Sequence, residues 1–368
     1  MKHEFRATTA VAALFAFGAA VPGAALAAEK PKLTLSGYSE QDFGYAENDD
    51  LSGFDDSFDQ KSDTEVHFNF STTLDNGLKF SGRIELEGNT SSDQIDENFM
   101  RVSGSFGQLT LGSDDNVANG FSIKPPQAGL AVKDIDKWQF DTASGTLLQE
   151  YENFSEDAEK ISYVTPSFGG FKLGVSYIPT WEQDSNGSPP SKTAQYSEGY
   201  ALGLGFDRTF GEVGLEAGAT YLAFTDGPSA AMAVGDPQYW TVGAKVSVSG
   251  FSLGTSYGEA DDFFRSEGNS SELEDGYHFQ IGAGYETGPW EFTATYHHGE
   301  AESKVASVNP ANDESDLWVL AAARKLGPGV LMSASLFHAD WKGEDADTAT
   351  SSDDNEGFGG MMRLRVSF

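Results

Sequence analysis

Val66-His-Phe-Asn-Phe-Ser-Thr-Thr-Leu-Asp-Asn-Gly-Leu-Lys-Phe-Ser-Gly-Arg-Ile-Glu-Leu-Glu87 is the stretch from which the architecture of the chain can be read. Val66, Phe68, Phe70, Thr72 and Leu74 fall on one face of an extended segment, and His67, Asn69, Ser71 and Thr73 on the other, because successive strand side chains point to opposite faces. Asp75-Asn76-Gly77 follows, a tight-hairpin signal, since Asn and Gly tolerate positive φ. On the returning segment Leu78, Phe80, Ile84 and Leu86 share one face, opposite Lys79, Ser81, Arg83, Glu85 and Glu87. One face of the hairpin is therefore apolar and the other ionic, as in a sheet with one wet side.

Outward from this hairpin the same alternation predicts sixteen strands, among them 32–45, 63–75, 77–90 and 357–368. The connections alternate in length. Short ones fall at Asp75–Gly77, Phe106-Gly107, Pro166–Gly170, Phe210-Gly211, Ser249-Gly250, Glu286–Pro289 and Leu326–Gly329, and long ones at 46–62, 91–96, 114–158, 180–196, 225–236, 260–273, 300–314 and 342–356. An even strand count, with short turns at one end and long polar loops at the other, predicts a transmembrane β-barrel rather than a soluble sandwich. Aromatics at even spacing near strand ends, Tyr277 with Tyr285, Trp290 with Tyr296, Phe251 with Tyr257 and Phe358 with Phe368, predict two interfacial girdles on the outer face. His278, Gln280, Gly282 and Gly284 face the other way, an unlikely lining for a sandwich core. In the final strand Phe358, Met362, Leu364, Val366 and Phe368 share the apolar face and Arg363 and Arg365 the other. An aromatic at the terminal carboxylate suits a strand that closes a barrel at a membrane interface.

Lys2, His3 and Arg6 precede an apolar run from Ala10 to Val21 and small residues ending Ala25-Leu26-Ala27. That pattern predicts a secretory signal peptide over 1–27, cleaved before Ala28, and a barrel over 28–368. The chain has no cysteine. Its formal charge of −34 argues against a nucleic-acid binder, which needs clustered Lys and Arg. A mean hydropathy of −0.38 does not exclude the membrane, because alternating strands average to low hydrophobicity.

Residues 114–158 have neither strand nor helix periodicity. A compact domain keeps so long a loop when it is functional or disordered, and Trp138, Phe140, Leu147, Leu148 and Tyr151 argue against disorder. We expect this segment to fold into the barrel lumen and set pore size and charge. Its acids Asp114, Asp115, Asp134, Asp136, Asp141, Glu150 and Glu152 are the candidate constriction, and Trp138, Phe140 and Tyr151 the candidate anchors.

Leu33-Thr-Leu-Ser-Gly37, Phe106-Gly-Gln-Leu-Thr-Leu-Gly112, Ile161-Ser-Tyr-Val-Thr-Pro-Ser-Phe-Gly-Gly-Phe171 and the carboxy-terminal Phe368 together resemble the general diffusion porins of Gram-negative outer membranes, particularly the alphaproteobacterial, Rhodobacter-like ones. The resemblance implies a 16-stranded antiparallel barrel, a homotrimer, and a third external loop folded inward, its acids facing a basic cluster on the inner wall. Candidates for that cluster are Lys79, Arg83, Arg101, Arg363 and Arg365. Ser113-Asp114-Asp115 departs from the family, in which Arg or Lys often follows this strand. The expected function is passive diffusion of small hydrophilic solutes and ions in the outer membrane, with cation preference from the net charge. The alternatives are a sugar-type channel, with Trp138, Phe140 and Tyr151 as part of an aromatic path, and a barrel hydrolase using His297 or His298 near Glu300. No catalytic residue, dedicated metal ligand or cofactor is expected. Acidic loops 46–62 and 342–356 could still hold structural Ca²⁺ bridging anionic lipopolysaccharide.

Overall fold

A computed structural model describes residues 29–48, 56–89, 94–143, 146, 152, 154–155, 157–181, 196–226, 236–265, 273–302, 312–343 and 354–368. The expected leader, Glu150 and Tyr151 lie outside them, as do the central parts of the acidic loops 46–62 and 342–356.

The strands are β1 Lys32–Ala46, β2 Ser57–Thr73, β3 Lys79–Glu87 and β4 Ile95–Gly104. Next come β5 Gly107–Ser113, β6 Glu159–Val164, β7 Phe171–Thr180 and β8 Tyr196–Phe210. Then follow β9 Val213–Asp226, β10 Gln238–Val248, β11 Phe251–Arg265 and β12 Leu273–Thr287. The chain ends with β13 Trp290–Glu302, β14 Asn312–Gly327, β15 Val330–Lys342 and β16 Asp354–Ser367. Each strand pairs with its neighbours in sequence, and β1 pairs with β16, so the sheet is a closed antiparallel barrel without edges. Tyr38 stands opposite Ser367 in that closing pair. Phe368 extends it, its N–H donating to Gly37 O at 3.0 Å and its carbonyl accepting from Gly37 N at 2.9 Å.

The short turns follow from local chemistry. Ser249 and Gly250, joining β10 to β11, have φ of 50° and 84°, the paired positive values of a turn whose twist matches the strands. β2 begins at Ser57 and β16 at Asp354, so the loops expected at 46–62 and 342–356 are shorter than their sequence suggests. Their polar residues alternate across the sheet and extend the wall.

Leu33, Leu253, Leu320 and Leu336 are each more than half exposed. They belong to one continuous outward band, with Leu173, Leu202, Leu204, Val242, Ile281 and Met362. A soluble monomer does not expose apolar surface on this scale, whereas lipid contact accounts for it. Two aromatic girdles bound the band. At the short-turn end Phe251 and Tyr285 stack with centroids 4.3 Å apart, and Phe171 meets Phe206 at 4.6 Å. At the long-loop end Tyr296 lies 4.4 Å from Trp318, and Tyr257 6.2 Å from Tyr277. The eight steps from Tyr277 to Tyr285 rise roughly 26 Å before tilt, about the height of a barrel's apolar band.

Candidate functional site

The buried residues lie on the opposite face of the sheet, beneath the segment that joins β5 to β6. That segment is fixed at its root. Asp114 Oδ2 lies 2.6 Å from Arg101 Nη2 of β4, the Lys160 ammonium donates to the Asp114 carbonyl, and the Ser113 hydroxyl donates to the Asp157 carbonyl. Asn116 then caps a short helix, α1 (Val117–Phe121), by accepting from Ala118 N at 2.8 Å, the usual N-cap bond. Its amide donates to Glu152 O at 2.8 Å, so one side chain starts the outgoing arm and holds the returning one.

From α1 the chain runs along the inner wall on a track of glycines, one on each of six consecutive strands: Gly174, Gly203, Gly218, Gly243, Gly254 and Gly282. A Cβ at Gly174 or Gly203 would come within 2.7 Å of the Phe121 ring, and one at Gly282 within 2.8 Å of Pro125. At Gly218 and Gly243 it would overlap the carbonyls of Phe121 and Ile123. Only a strand without a side chain admits this backbone so close. Past the track, small hydroxyls take over. Thr295 Oγ1 donates to Pro126 O at 3.0 Å, Ala128 N to Thr293 Oγ1 at 3.1 Å, and Leu130 N to Ser335 Oγ at 2.9 Å. Leu130, Val132 and Ile135, the last two in a 3-10 turn (Val132–Lys137), are buried against Leu317, Val319, Phe337, Ala339 and Trp341. The segment then reaches β16 and β1. Asn355 Nδ2 donates to Phe140 O at 2.7 Å, and the Trp138 ring fills the space over Gly44.

The candidate acids therefore differ in environment. Asp136 is exposed, and Asp115 and Asp141 are half-buried, accepting from Asn119 Nδ2 at 2.6 Å and Ala143 N at 2.7 Å respectively. Asp134 lies 2.8 Å from Lys137 and 3.5 Å from Lys133. Burial pushes its carboxyl up, but the two ammonium groups and Arg363 outweigh this and hold it below the ordinary aspartate value. Burial raises Asp114 above its ordinary value despite Arg101. Glu152 requires a correction. It is 1% exposed, with Oε2 2.9 Å from Lys124 and Oε1 accepting from Ser122. It faces no open lumen but staples the two arms of the loop, and burial keeps its carboxyl raised despite Lys124. Phe140 is corrected too. The residue is 42% exposed, and its backbone holds the loop, since its N–H also donates to Asn48 Oδ1 at 2.9 Å.

The basic candidates share the inner face of the opposite wall, but acids accompany them. Arg363 contacts Glu40 at 2.9 Å and Asp42 at 2.7 Å. Arg365 contacts Glu40 at 3.3 Å and lies 3.8 Å over the Tyr38 ring. Arg83 contacts Glu85 at 2.6 Å, and Lys79 is exposed near the short-turn end. Arg83, Arg101 and Arg365 each keep about a third of their side-chain surface open. The acidic partners Glu40 and Asp42 were missed by sequence reasoning, although β1–β16 pairing sets them directly opposite Arg365 and Arg363. The glycine track was visible only as residues that face away from the girdles.

A closed barrel with an apolar exterior, a polar interior and a loop laid along its inner wall defines a transmembrane channel protein. Residues 7–344 match the family model described as Gram-negative porin, and the chain belongs to that family. Among solved structures, the anion-selective porin from Comamonas acidovorans superposes with a TM-score of 0.64 at 16% identity, covering 92% of this chain and 100% of that one. The trimer form of OmpT, an outer membrane protein of Vibrio cholerae, gives 0.64 at 15% with the same coverage. The Salmonella typhi OmpF complex with daunomycin gives 0.62 at 13%, covering 92% and 98%. At these identities the likeness speaks for the fold. No curated protein matches the chain. Family and fold together make this an outer-membrane channel for diffusion.

Proposed function

We propose that the channel passes small hydrophilic solutes with a preference for cations, that residues 114–158 form its constriction, and that it works as a homotrimer without catalysing a reaction. The observation that carries this reading is the division of the inner wall. The loop covers the glycine- and hydroxyl-rich part of β7–β15, away from the Glu216–Lys245 pair nearer the short turns, so the passage is left beside the ionic arc of β1–β4 and β16. Asp134 and Arg363 interact electrostatically across the junction of the two. Opposed charges there create a transverse field that favours polar solutes over apolar ones. Cation preference is supported by the net charge of −34 and by the carboxylates that accompany Arg83, Arg101, Arg363 and Arg365.

The trimer is supported by the outer face. On β1 and β2 the outward row includes Ser39, Gln41, Gln60 and Thr64, hydrogen-bonded in pairs at 3.0 Å (Ser39–Thr64) and 2.7 Å (Gln60–Gln41). Elsewhere the band is mainly aliphatic and aromatic, and polar side chains facing hydrocarbon are costly. A second copy of the chain would cover them. No cofactor belongs to this reading; a structural Ca²⁺ bridging the external acids to lipopolysaccharide would rest on the composition of those loops.

Two observations favour this reading over its alternatives. His297 is fully buried with Nε2 3.2 Å from Thr146 O, and His298 faces outward against Asp316 at 3.1 Å, so neither is placed to activate a nucleophile in the lumen. The Trp138 ring already carries the Lys61 ammonium at 5.0 Å, which blocks it as a sugar platform. Planar-bilayer recording tests the whole reading. Equal conductance steps in groups of three and a cation-selective reversal potential in a KCl gradient are expected, and deletion of 126–146 should enlarge each step. Anion selectivity, single steps or unchanged conductance would each overturn the corresponding part.

A further inference from the structure

On the uncovered arc, lumen-facing residues of β2 and β3 form a cluster of potential metal ligands. We propose that Glu65, His67 and Glu85 form a binding site for a borderline divalent transition-metal ion such as Zn²⁺ on the pore wall, and that its occupancy reduces cation current.

The ligand atoms are already gathered. One from each residue lies within 4.8 Å of the other two. His67 Nε2 is 2.7 Å from Glu65 Oε2 and 3.6 Å from Glu85 Oε2. Ligands about 2.0–2.2 Å from a tetrahedral ion stand roughly 3.3 Å apart. The Glu85 separation is close to this, and a small rotation of Glu65 provides the rest.

The second oxygens are occupied. Glu65 Oε1 accepts from Tyr38 OH at 2.5 Å, and Glu85 Oε1 accepts from Arg83 Nη1 at 2.6 Å. Arg83 is itself steadied by Asn69 Oδ1, which accepts from Nε at 3.0 Å. Each carboxylate is thus held by an outer donor with its other oxygen turned to the imidazole, which is how outer residues orient metal ligands. The three side chains are 7–13% exposed, sheltered yet reachable from the lumen, which leaves a fourth position for water.

Chemistry selects the ion. One imidazole and two carboxylates suit zinc and its neighbours better than Mg²⁺ or Ca²⁺, which prefer all-oxygen sites. Asp63 and Glu87 stand next to Glu65 and add negative potential that draws a cation in. Ligation uses the neutral imidazole with its single ring proton on Nδ1, so that the Nε2 lone pair faces the ion in place of Glu65.

A bare ion-paired histidine has the same hydrogen bonds, so the test must separate the two. Calorimetric titration of the detergent-solubilised full chain with ZnCl₂ is expected to show one saturable site per chain that Mg²⁺ does not fill. His67→Gln should weaken it at least about a hundredfold, and Tyr38→Phe, which loosens Glu65, about tenfold. Heat-modifiable gel mobility checks that each variant is folded, and Tyr38→Phe stands in if His67→Gln is not. Zinc should lower the single-channel K⁺ current of the wild type reversibly with EDTA, each channel being compared with its own zinc-free current. Absence of a saturable site, or identical titrations for wild type and His67→Gln, would overturn the site whatever the channel's selectivity. A site without an effect on current would overturn its action on the pore.

Discussion

The inner wall of the barrel has two arcs with opposite chemistry. From β7 to β15 it is built of Gly174, Gly203, Gly218, Gly243, Gly254, Gly282, Thr293, Thr295 and Ser335, and a loop lies on it. From β16 through β1 to β4 it carries the pairs Arg363 and Arg365 with Glu40, Arg363 with Asp42, Arg83 with Glu85 and Glu65 with His67, and Arg101, which pairs with Asp114 of the loop. The difference teaches where a loop can settle. A glycine presents backbone without bulk, and the Thr293 and Ser335 hydroxyls accept from loop N–H groups, so the loop settles there without burying charge. Covering the ionic arc would take several charges out of water, which is far more costly.

The comparison can be broken most severely by roughening the track. Gly218→Val places side-chain atoms where the Phe121 carbonyl lies and should lift α1 off the wall. The expected loss is on the order of 4 kcal/mol, the burial of two large apolar side chains. A lower thermal midpoint and a wider conductance distribution would report it. Ile135→Ala, within the 3-10 turn, empties a fully buried site and should cost about 3 kcal/mol, read from denaturant midpoints. Glu152→Ala removes the staple between the arms. Because Lys124 keeps a third of its side chain exposed, roughly 2 kcal/mol is expected, below the range for a fully buried pair.

The uncovered arc should respond in function rather than stability. Arg365→Gln should change the midpoint by less than about 1 kcal/mol, since its pair with Glu40 is partly exposed. Its reversal potential should move towards cations, because Glu40 loses part of its counter-charge. The smallest effect is a pH dependence at the junction of the arcs. Asp134 is held below the ordinary aspartate value, so its stabilising contribution is fully present above that value and fades as the pH falls through the lowered one. The stability gap between wild type and Asp134→Asn should therefore be constant near neutrality and close only in strong acid, as measured by thermal melts across pH.

All sixteen strands were legible because period-two alternation is a local signal and turns such as Asp75-Asn76-Gly77 and Ser249-Gly250 are chemically marked. The barrel-closing role of Phe368 was legible for the same reason. Glu152 was misread because its burial depends on Lys124 and Ser122, which lie on the other arm of the same loop. A stretch without periodicity does not reveal which of its own residues fold together. His67 read as an ordinary wet-face residue, because its neighbours Glu65 and Glu85 become ligand-like only once β2 and β3 are in register.

The sequence by itself determined a sixteen-stranded membrane barrel, with its faces and girdles, and a long loop too aromatic to be disordered. Alternation, turn chemistry and composition are properties of short windows, and they survive without any knowledge of the fold. Tertiary structure alone decided which arc the loop covers, which acids remain open and where carboxylate and imidazole converge. Those outcomes depend on the stagger with which the sheet closes on itself, since that stagger chooses which glycine meets Phe121 and which carboxylate meets each guanidinium.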